Sequence, residues 1–408
     1  MRVLMLSWEF PPHVVGGMGK HVMDLAPALA RQGVEVHVLT PLLRGGPARE
    51  TTDQGIHVYR IEPPRMESYG FVAFAQQTNT LLESAARKLA NEIGDFDVIH
   101  AHDWLAAHSG IGLKHTWRRP LVATIHATER GRQQGYVGGG HAEQVNSIEW
   151  WLTYEAWRVI ACSHFMAGQI NGYFHTPLDK IDVVPNGVYI HPDPFATDEQ
   201  RLAFRRRFVE DDQPLVYYVG RLVYEKGLHV LLDAWPQVLA AFPRARLVIA
   251  GVGAYMDTLK SRAWALGIAP EVMFAGFIAD DERDKLYHTA DVATFPSLYE
   301  PFGIVALEAM AARCPVVVAA TGGLAEVVAL HETGLTVHPD DPGSLAWGIL
   351  HTLQHPDWSR ARAENAYRVA RDEYNWTKIA SMTADVYARA HVEWERDSWG
   401  KELAPAAL

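Results

Sequence analysis

Two acidic side chains lie eight residues apart in the segment 297–308, Ser-Leu-Tyr-Glu-Pro-Phe-Gly-Ile-Val-Ala-Leu-Glu. Glu300 and Glu308 flank a Pro-Phe-Gly turn, which we predict opens a helix after the apolar strand 291–295. The first turn of a helix offers unpaired N–H groups to an anion, and carboxylates beside it accept hydrogen bonds from hydroxyls. A phosphate bonded to a sugar presents both partners at once.

Two cations follow another predicted strand about eighty residues earlier. The segment 220–227 reads Gly-Arg-Leu-Val-Tyr-Glu-Lys-Gly, so Arg221 and Lys226 can neutralise a diphosphate. Surface ion pairs are the alternative for these cations and for Glu300 and Glu308. All four follow the ends of predicted strands, which favours a nucleotide-sugar site.

At these positions the sequence resembles the GT-B glycosyltransferases, and within them glycosyltransferase family 4. The family's signature has an Arg and a Lys five residues apart, then a Glu, seven residues and a second Glu, as here at 221, 226, 300 and 308. The resemblance implies that Arg221 and Lys226 stabilise a departing nucleoside diphosphate. It also implies that Glu300 holds the sugar and that Glu308 accepts from the ribose hydroxyls.

Composition sets bounds that agree with this reading. The 408 residues and 48% hydrophobic content allow two full domains. The net charge of −11 and scattered Lys and Arg argue against nucleic-acid binding. We find no apolar segment of membrane-spanning length and no leader before the first strand, so we expect a soluble, cytoplasmic protein. Two cysteines in apolar runs predict buried thiols rather than a disulfide or zinc framework.

Strands and helices alternate twice along the chain, which predicts an α/β fold of two Rossmann-like domains with doubly wound parallel sheets. We predict an N-terminal acceptor domain at 1–187, a nucleotide-sugar-binding domain at 188–375 and a C-terminal segment at 376–408. The Pro-rich stretch 185–194 is the expected linker. GT-B enzymes place their ligands between the domains, and a last helix, about 377–394, is expected to pack back on the first domain. Predicted strands are 3–7, 34–40, 98–101, 121–125, 159–162 and 181–184, then 215–219, 246–250, 272–275, 292–295, 316–319 and 333–337.

Ligands of open parallel sheets bind beyond the carboxyl ends of the strands. After the first strand, Gly16 and Gly17 would let the backbone approach a donor closely, although a tight turn explains them as well. A dinucleotide fingerprint is disfavoured because the glycine spacing differs and the second strand ends in Thr40-Pro41 without an acid.

Histidines end two further strands of the first half. His102, Asp103 and Trp104 follow one strand, and we expect them to bind the acceptor through hydrogen bonds and an apolar ring face. Trp104 as a core aromatic, and a metal site at the histidines, are the alternatives, and His100 is expected in the core. His-Ala-His-Asp-Trp resembles the acceptor motif of glycogen and starch synthases, and Thr-Ile-His resembles the segment with their active-site histidine. By that resemblance His126 contacts the donor sugar, and we place Glu129 and Arg130 with the acceptor.

Loops after the second-half strands supply the remaining donor-binding predictions. Several are glycine turns that packing alone would also explain. The residues are Gly253, Phe277, Ile278, Gly303, Ile304, Val305, Thr321, Gly322 and Gly323.

We predict no cofactor and no metal in the reaction. Asp95-Phe96-Asp97 has the spelling of a metal-binding acidic pair, but it precedes its strand and so lies at the wrong edge. Charge neutralisation then falls to Arg221, Lys226 and backbone amides. The family resemblance implies retention of anomeric configuration.

The sequence narrows the choice of donor and acceptor but does not identify either substrate. The resemblance is strongest to bacterial and archaeal glucan synthases, which implies a nucleotide diphosphate glucose donor and an α-1,4-glucan acceptor. Larger bacterial glycogen synthases carry Lys-x-Gly-Gly in the first loop, whereas Val14 and Val15 precede Gly16 here. The donor therefore stays open between ADP-glucose and UDP-glucose, and a small acceptor such as glucose 1-phosphate remains an alternative to the glucan. The sequence also leaves open the role of 130–141 and the oligomeric state. An epimerase, a phosphorylase and an inactive glycan-binding module are the competing classes, and the complete set of site residues disfavours the last.

Overall fold

The computed structural model describes residues 1–66 and 70–399. Two compact units divide the chain: unit 1 is Met1–Gly187 with the segment that begins at Trp376, and unit 2 is Val188–Asn375. Each unit contains a largely or wholly parallel sheet whose strands alternate with helices. The predicted α/β fold class is thereby confirmed.

The sheet of unit 1 has eight strands in the order β3-β4-β2-β1-β5-β6-β7-β8. Only the edge strand β3 runs antiparallel to its neighbour. Sequence predicted these strands to within one residue, apart from β3 and β4, which it missed. The strands are β1 Arg2–Leu6, β2 Glu35–Pro41, β3 Arg49–Thr51, β4 His57–Ile61, β5 Val98–His102, β6 Leu121–Ile125, β7 Arg158–Ala161 and β8 Ile181–Val183.

Helix formation in unit 1 follows the spacing of apolar residues. In α1, Met18, Val22, Leu25 and Leu29 fall on one buried stripe, and Gly33 follows the helix with φ +83°. The helices of this unit are α1 Gly17–Ala30, α2 Phe71–Ile93, α3 Ala107–Trp117, α4 Glu129–Arg132, α5 His141–Glu155, α6 His164–Phe174 and, after unit 2 in the chain, α15 Trp376–Arg396.

The sheet of unit 2 has six parallel strands in the order β11-β10-β9-β12-β13-β14. Its strands are β9 Leu215–Val219, β10 Arg246–Ala250, β11 Val272–Gly276, β12 Val292–Phe295, β13 Val316–Ala319 and β14 Leu335–Val337. Its helices are α7 Asp198–Arg205, α8 Leu228–Ala241, α9 Met256–Ala265, α10 Asp280–Tyr287, α11 Ile304–Ala311, α12 Leu324–Val327, α13 Pro342–Gln354 and α14 Pro356–Glu373. Because β9 and β12 are neighbours, the loops that follow them share one edge of the sheet.

The last helix, α15, belongs to unit 1 and packs against α1. Tyr387 in α15 places its hydroxyl 2.7 Å from His100 Nδ1 in β5, and both side chains are buried. Residues 400–408 of the predicted segment 376–408 lie outside the described residues. No helix in the described parts of the chain is long and apolar enough to span a membrane.

Candidate functional site

A buried ion pair lies at the carboxyl edge of the unit 2 sheet. Lys226 Nζ is 2.6 Å from Glu300 Oε2, and both side chains are largely buried. The Ser297 hydroxyl donates to the same carboxylate oxygen at 3.2 Å. Lys226 follows β9 and Glu300 follows β12, so the pairing of these two strands brings the residues together. The structure thus joins two of the four residues of the motif directly.

Gly227 explains how the chain places Lys226 there. Its φ of +67° is in the left-handed region, and a Cβ atom at this position would overlap the carbonyl oxygen of Pro296. Only glycine meets both conditions, because it has no Cβ. The N–H groups of Leu298 and Tyr299 also donate to the carbonyl of Glu225, at 2.8 and 3.3 Å. Close backbone packing therefore fixes the two loops against each other.

Arg221 has a different environment from Lys226. Its side chain is about half exposed, and its guanidinium is 3.6 Å from Glu225 Oε1. A cation held loosely by one exposed contact can turn toward an anionic ligand at little cost, since exposed ion pairs contribute little stability. Arg221 is thus available for a phosphate at this edge.

The turn that opens α11 presents backbone N–H groups, as predicted from sequence. Gly303 precedes the helix with φ +106°, and Ile304 and Val305 occupy its first turn. The N–H of Gly323 donates to the carbonyl of Glu300 at 2.9 Å, and a Cβ at Gly323 would overlap Phe302. Packing alone therefore accounts for a glycine at position 323, which we predicted to bind the donor. Gly323 packs the 321–323 loop against the Glu300 turn.

Glu308 lies within α11 beside two residues of α10. Its Oε2 is 3.4 Å from the Tyr287 hydroxyl and 3.5 Å from Arg283 Nε. Burial alone would lower the pKa of Arg283, but Glu308 and neighbouring acidic groups outweigh it and raise the pKa. Glu308 therefore lies next to a permanent cation. Arg283 was not predicted from sequence, because it lies among the acidic residues at the start of α10.

The other predicted loops of unit 2 differ in accessibility. Phe277 follows β11 and is 81% exposed, so its ring is open to a ligand, whereas Ile278 is half-buried. A Cβ at Gly253 would overlap the carbonyl of Leu222, which shows that backbone packing requires this glycine. Gly322 has φ +54°, and the half-buried Thr321 donates its N–H to Ala319.

In unit 1, the glycine loop is organised by an acid that sequence analysis did not select. Glu9 Oε2 accepts the N–H groups of Val15 and Gly16 at 2.7 and 3.1 Å. Gly17 begins α1 and is exposed. A Cβ at Gly16 would meet nothing within 4 Å, so steric packing does not explain that glycine.

His126 follows β6 and is half-buried in the unit 1 edge. Its backbone N–H donates to Asp103 Oδ1 at 2.7 Å, and its Nε2 is 3.0 Å from His102 Nδ1. Burial lowers the pKa of His126 to about 3, and the nearby Arg132 adds to the effect. The imidazole is therefore neutral at physiological pH and acts as a hydrogen-bonding group.

His102 and Asp103, which we predicted to bind the acceptor, are both buried in unit 1. His102 is wholly buried and contacts His126 rather than the surface. Asp103, with φ +58°, is 6% exposed and uses its carboxylate on backbone N–H groups of the 126–127 segment. Strand β5 leads both side chains into the interior, so they position the loop that carries His126.

Trp104 is also buried, with 8% of its surface exposed. Its ring packs edge-on against Phe71 and His141. This arrangement corresponds to the core alternative, since the ring offers little area to a sugar. His100 is a core residue as expected, with its two ring nitrogens 2.7 Å from the Tyr387 and Thr124 hydroxyls.

Glu129 and Arg130 occupy the short helix α4. Glu129 accepts from Gln133 Nε2 at 2.6 Å, and Arg130 donates to the Gly135 carbonyl and lies over the Tyr173 ring. The two hydrogen bonds are local to the 129–135 segment, whereas Tyr173 belongs to α6. Both residues are half-buried and reach the surface.

Known proteins resemble the chain along almost its whole length. The family described as "Glycosyltransferase Family 4" matches residues 15–191, and "Glycosyl transferases group 1" matches 200–369. A glycogen synthase of Mycobacterium tuberculosis is 37% identical over 96% of this chain and 95% of its own. This chain is a family 4 glycosyltransferase of the GT-B fold.

Other relatives of this glycosyltransferase carry different names. An uncharacterized glycosyltransferase of Methanocaldococcus jannaschii is 39% identical over 95% of this chain and 98% of its own. A D-inositol 3-phosphate glycosyltransferase of Xylanimonas cellulosilytica is 31% identical over 95% and 97%. Among solved structures, a sucrose-phosphate synthase from Thermosynechococcus elongatus has a TM-score of 0.83 at 26% identity, over 96% and 99%. The structure of Anabaena HepE in complex with UDP-glucose has a TM-score of 0.74 at 22% sequence identity. The match covers 95% of this chain and 100% of HepE, which shows the shared fold.

Sequence analysis missed two buried residues of the glycosyltransferase's unit 1 edge. His21 in α1 lies with its ring 4.8 Å from that of His126, and its Nδ1 is 2.6 Å from Asn186 Oδ1. Glu149 in α5 accepts the Glu129 N–H with both oxygens at 3.0 Å. The helical stripe of α1 places His21 between Met18 and Leu25 on the buried side, which was the signal available for it.

Proposed function

We propose that this glycosyltransferase transfers glucose from ADP-glucose or UDP-glucose to the non-reducing end of an α-1,4-glucan, with retention of configuration. The Lys226–Glu300 pair carries the proposal, because it couples a cation for the diphosphate to a carboxylate for sugar hydroxyls within 2.6 Å. The 37% identity to a glycogen synthase supports the choice of glucose and glucan.

Different groups of unit 2 stabilise the leaving diphosphate and bind the sugar and the ribose. As the bond between the anomeric carbon and the diphosphate oxygen breaks, negative charge grows on the diphosphate. Arg221, Lys226 and the N–H groups at Ile304 and Val305 stabilise that charge electrostatically. Glu300 hydrogen-bonds the sugar, and Glu308 accepts from the ribose. In this proposal, protein groups alone supply the positive charge and no metal ion is required.

His126 acts as a neutral hydrogen-bonding group toward the sugar that is transferred. Its lowered pKa supports this role, since a cation there would repel the positive charge that develops on the sugar ring. Asp103 holds the backbone N–H of His126 and so fixes the position of the ring. The acceptor hydroxyl attacks the face from which the diphosphate departs and passes its proton to a departing phosphate oxygen, so the configuration is retained and the nucleoside diphosphate is released.

A small phosphorylated acceptor, such as glucose 1-phosphate, is the second candidate. It is favoured by the likeness to a sucrose-phosphate synthase at 26% identity and to a D-inositol 3-phosphate glycosyltransferase at 31%. The names of both proteins include a phosphorylated small molecule. The two candidates share the donor chemistry and differ only in the acceptor.

One assay separates the candidates. Release of ADP or UDP is measured from each nucleotide glucose with glycogen, a short maltooligosaccharide, glucose 1-phosphate or no acceptor, with excess EDTA throughout. Stepwise growth of the oligosaccharide by hexose units supports the glucan synthase, and transfer to glucose 1-phosphate alone supports the second candidate. Release without an acceptor at the same rate, or a strict need for added metal, contradicts the proposed mechanism.

A further inference from the structure

Three histidine rings converge in unit 1 behind the half-exposed edge of His126. His21, His102 and His126 come from α1, β5 and the loop after β6, and they form the three-histidine cluster. Each can offer one ring nitrogen such that all three nitrogens lie within 4.8 Å of one another. Two of these residues are almost wholly buried, at 3% and 0% exposed.

Two ring nitrogens of the three-histidine cluster make no hydrogen bond within the described residues. They are Nε2 of His21 and Nε2 of His102, both buried. A buried polar atom without a partner costs about 1–3 kcal/mol, so a group that satisfies these atoms would be bound favourably. The nearby His100 differs, because hydroxyls satisfy both of its ring nitrogens.

We propose that His21, His102 and His126 form a binding site for a divalent transition-metal ion of the Zn²⁺ class. Imidazole nitrogens suit Zn²⁺, Ni²⁺ and Cu²⁺, whereas Mg²⁺ and Ca²⁺ select oxygen ligands. Three protein ligands leave a fourth tetrahedral position for water or another exchangeable group. An ion bound here would occupy the His126 imidazole that the proposed transfer uses for the sugar, so we expect Zn²⁺ to inhibit transfer, whereas the binding itself does not depend on the transfer reaction.

The size of the cluster fits such an ion. With Zn–N bonds of about 2.0–2.1 Å and tetrahedral angles, ligand nitrogens lie about 3.4 Å apart and ring centroids about 5.2 Å apart. The three centroid separations are 4.8, 5.3 and 5.6 Å, close to that value. Small rotations of the rings therefore suffice to bring three nitrogens onto one ion.

The surroundings prepare the ligands in two ways. His21 Nδ1 lies 2.6 Å from the Asn186 amide oxygen, so it carries the proton and leaves the lone pair on Nε2. Metal-ligating histidines are commonly oriented by such an outer hydrogen bond. Burial of His21 and His102 also shields those two rings from competing solvent.

A second group of candidate ligands is less suitable. Glu35, His37 and His57 also approach one another, but the Glu35 carboxylate already pairs with Arg2 at 2.9 Å and with His37 at 3.0 Å. An ion there would have to displace a permanent cation. His57→Ala therefore serves as the matched control.

The test titrates the chelator-treated full chain with ZnCl₂ by calorimetry at pH 7.5, without any sugar. One saturable site per chain is expected, with at least tenfold weaker binding in His21→Ala and His102→Ala. Asn186→Ala is expected to weaken binding about tenfold, His57→Ala should match the wild type, and MgCl₂ should give no binding. Each variant's thermal unfolding transition is recorded first.

Co²⁺ supplies a second measurement that does not rely on the variants. The wild type with Co²⁺ should show the intense visible absorption that is typical of tetrahedral Co²⁺. One equivalent of Zn²⁺ should displace the Co²⁺ and abolish this absorption. The proposal is overturned if the wild type shows no saturable Zn²⁺ binding, if folded His21→Ala and His102→Ala bind as tightly as the wild type, or if His57→Ala loses the site. Because no sugar is present, failure here leaves the proposed transfer function untouched.

Discussion

Lys226 Nζ and Glu300 Oε2 lie 2.6 Å apart although 74 residues separate them in the chain. The pairing of β9 with β12 creates this contact, since each residue follows one of these strands. Both charges are largely buried, so they interact more strongly than an exposed pair would. Removing either partner leaves the other as an uncompensated charge.

Replacing Lys226 with alanine should therefore affect both catalysis and stability. We expect the transfer rate to fall by about 100-fold or more, or about 3 kcal/mol of barrier, and the melting temperature to drop because Glu300 loses its partner. Lys285→Ala is the control, since Lys285 pairs only with the exposed Asp281 on α10. Steady-state kinetics and thermal unfolding check both effects. A folded Lys226→Ala variant with near-normal turnover would contradict the assigned role.

Glu308→Gln should weaken nucleotide binding more than catalysis. The carboxylate is expected to accept from the ribose, so the variant should bind ADP or UDP about tenfold more weakly, by about 1.4 kcal/mol. Calorimetric titration should also show that the wild type discriminates against the 2′-deoxy nucleotide and that the variant does not. Glu364→Gln, which alters an exposed ion pair with Arg313, is the control. Equal discrimination in Glu308→Gln and wild type would remove Glu308 from the ribose site.

The positions of Arg221, Lys226 and Glu300 at one edge of the unit 2 sheet were predictable, because these residues follow apolar strands that are easily identified in the sequence. Buried strands such as β9 and β12 are mainly apolar, and the residues after them must reach one sheet edge. Strands β3 and β4 escaped prediction because they lie at one edge of the sheet and have few buried apolar residues. In β4, only Val58 and Arg60 are buried, which leaves little apolar signal.

Side-chain direction was the part that sequence did not reveal. His102, Asp103 and Trp104 follow a strand as expected, yet all three point into unit 1 and bond or pack there. His21 and Asn186 meet across 165 residues, in a helix and in a Pro-rich stretch. Such contacts depend on how α1 docks on the sheet, which no local spacing specifies.

Tyr387→Phe tests the anchoring of α15 on unit 1. The variant removes a buried hydroxyl 2.7 Å from His100 Nδ1 and leaves that nitrogen without its partner. We expect a loss of about 1–3 kcal/mol in unfolding free energy, measured by chemical denaturation. Turnover per folded molecule should stay unchanged, because neither residue belongs to the proposed site. Tyr367→Phe, at a half-buried position of α14 where Arg313 lies over the ring, should alter stability far less.

Glu149→Gln should change how stability depends on pH. Burial raises the pKa of Glu149 to about 8, above its ordinary value near 4.5. The native state then binds a proton that the unfolded state releases between these values, so this group makes stability fall as pH rises from about 4.5 to 8. Glutamine stays neutral and removes that dependence, by up to about 1.4 kcal/mol per pH unit.

The comparison uses denaturant unfolding of both proteins at pH 5.5, 7 and 8.5. Glu149→Gln should gain stability relative to the wild type as pH increases. Parallel pH profiles for the two proteins would show that Glu149 ionises normally in the folded state. Glu143→Gln, in the first turn of the same helix, provides the reference for an ordinary carboxylate.

Gly227→Ala tests whether backbone packing positions Lys226. Gly227 and Gly267 have nearly equal φ values, +67° and +71°, but only at Gly227 would a Cβ overlap backbone, at the carbonyl of Pro296. An alanine in the left-handed region costs about 1–2 kcal/mol, so Gly267→Ala should lose that amount of stability and keep full activity. Gly227→Ala should lose more, and its turnover should approach that of Lys226→Ala, because the loops must separate. If the two glycine variants behave alike in unfolding and in kinetics, the Lys226–Glu300 contact does not depend on this close approach.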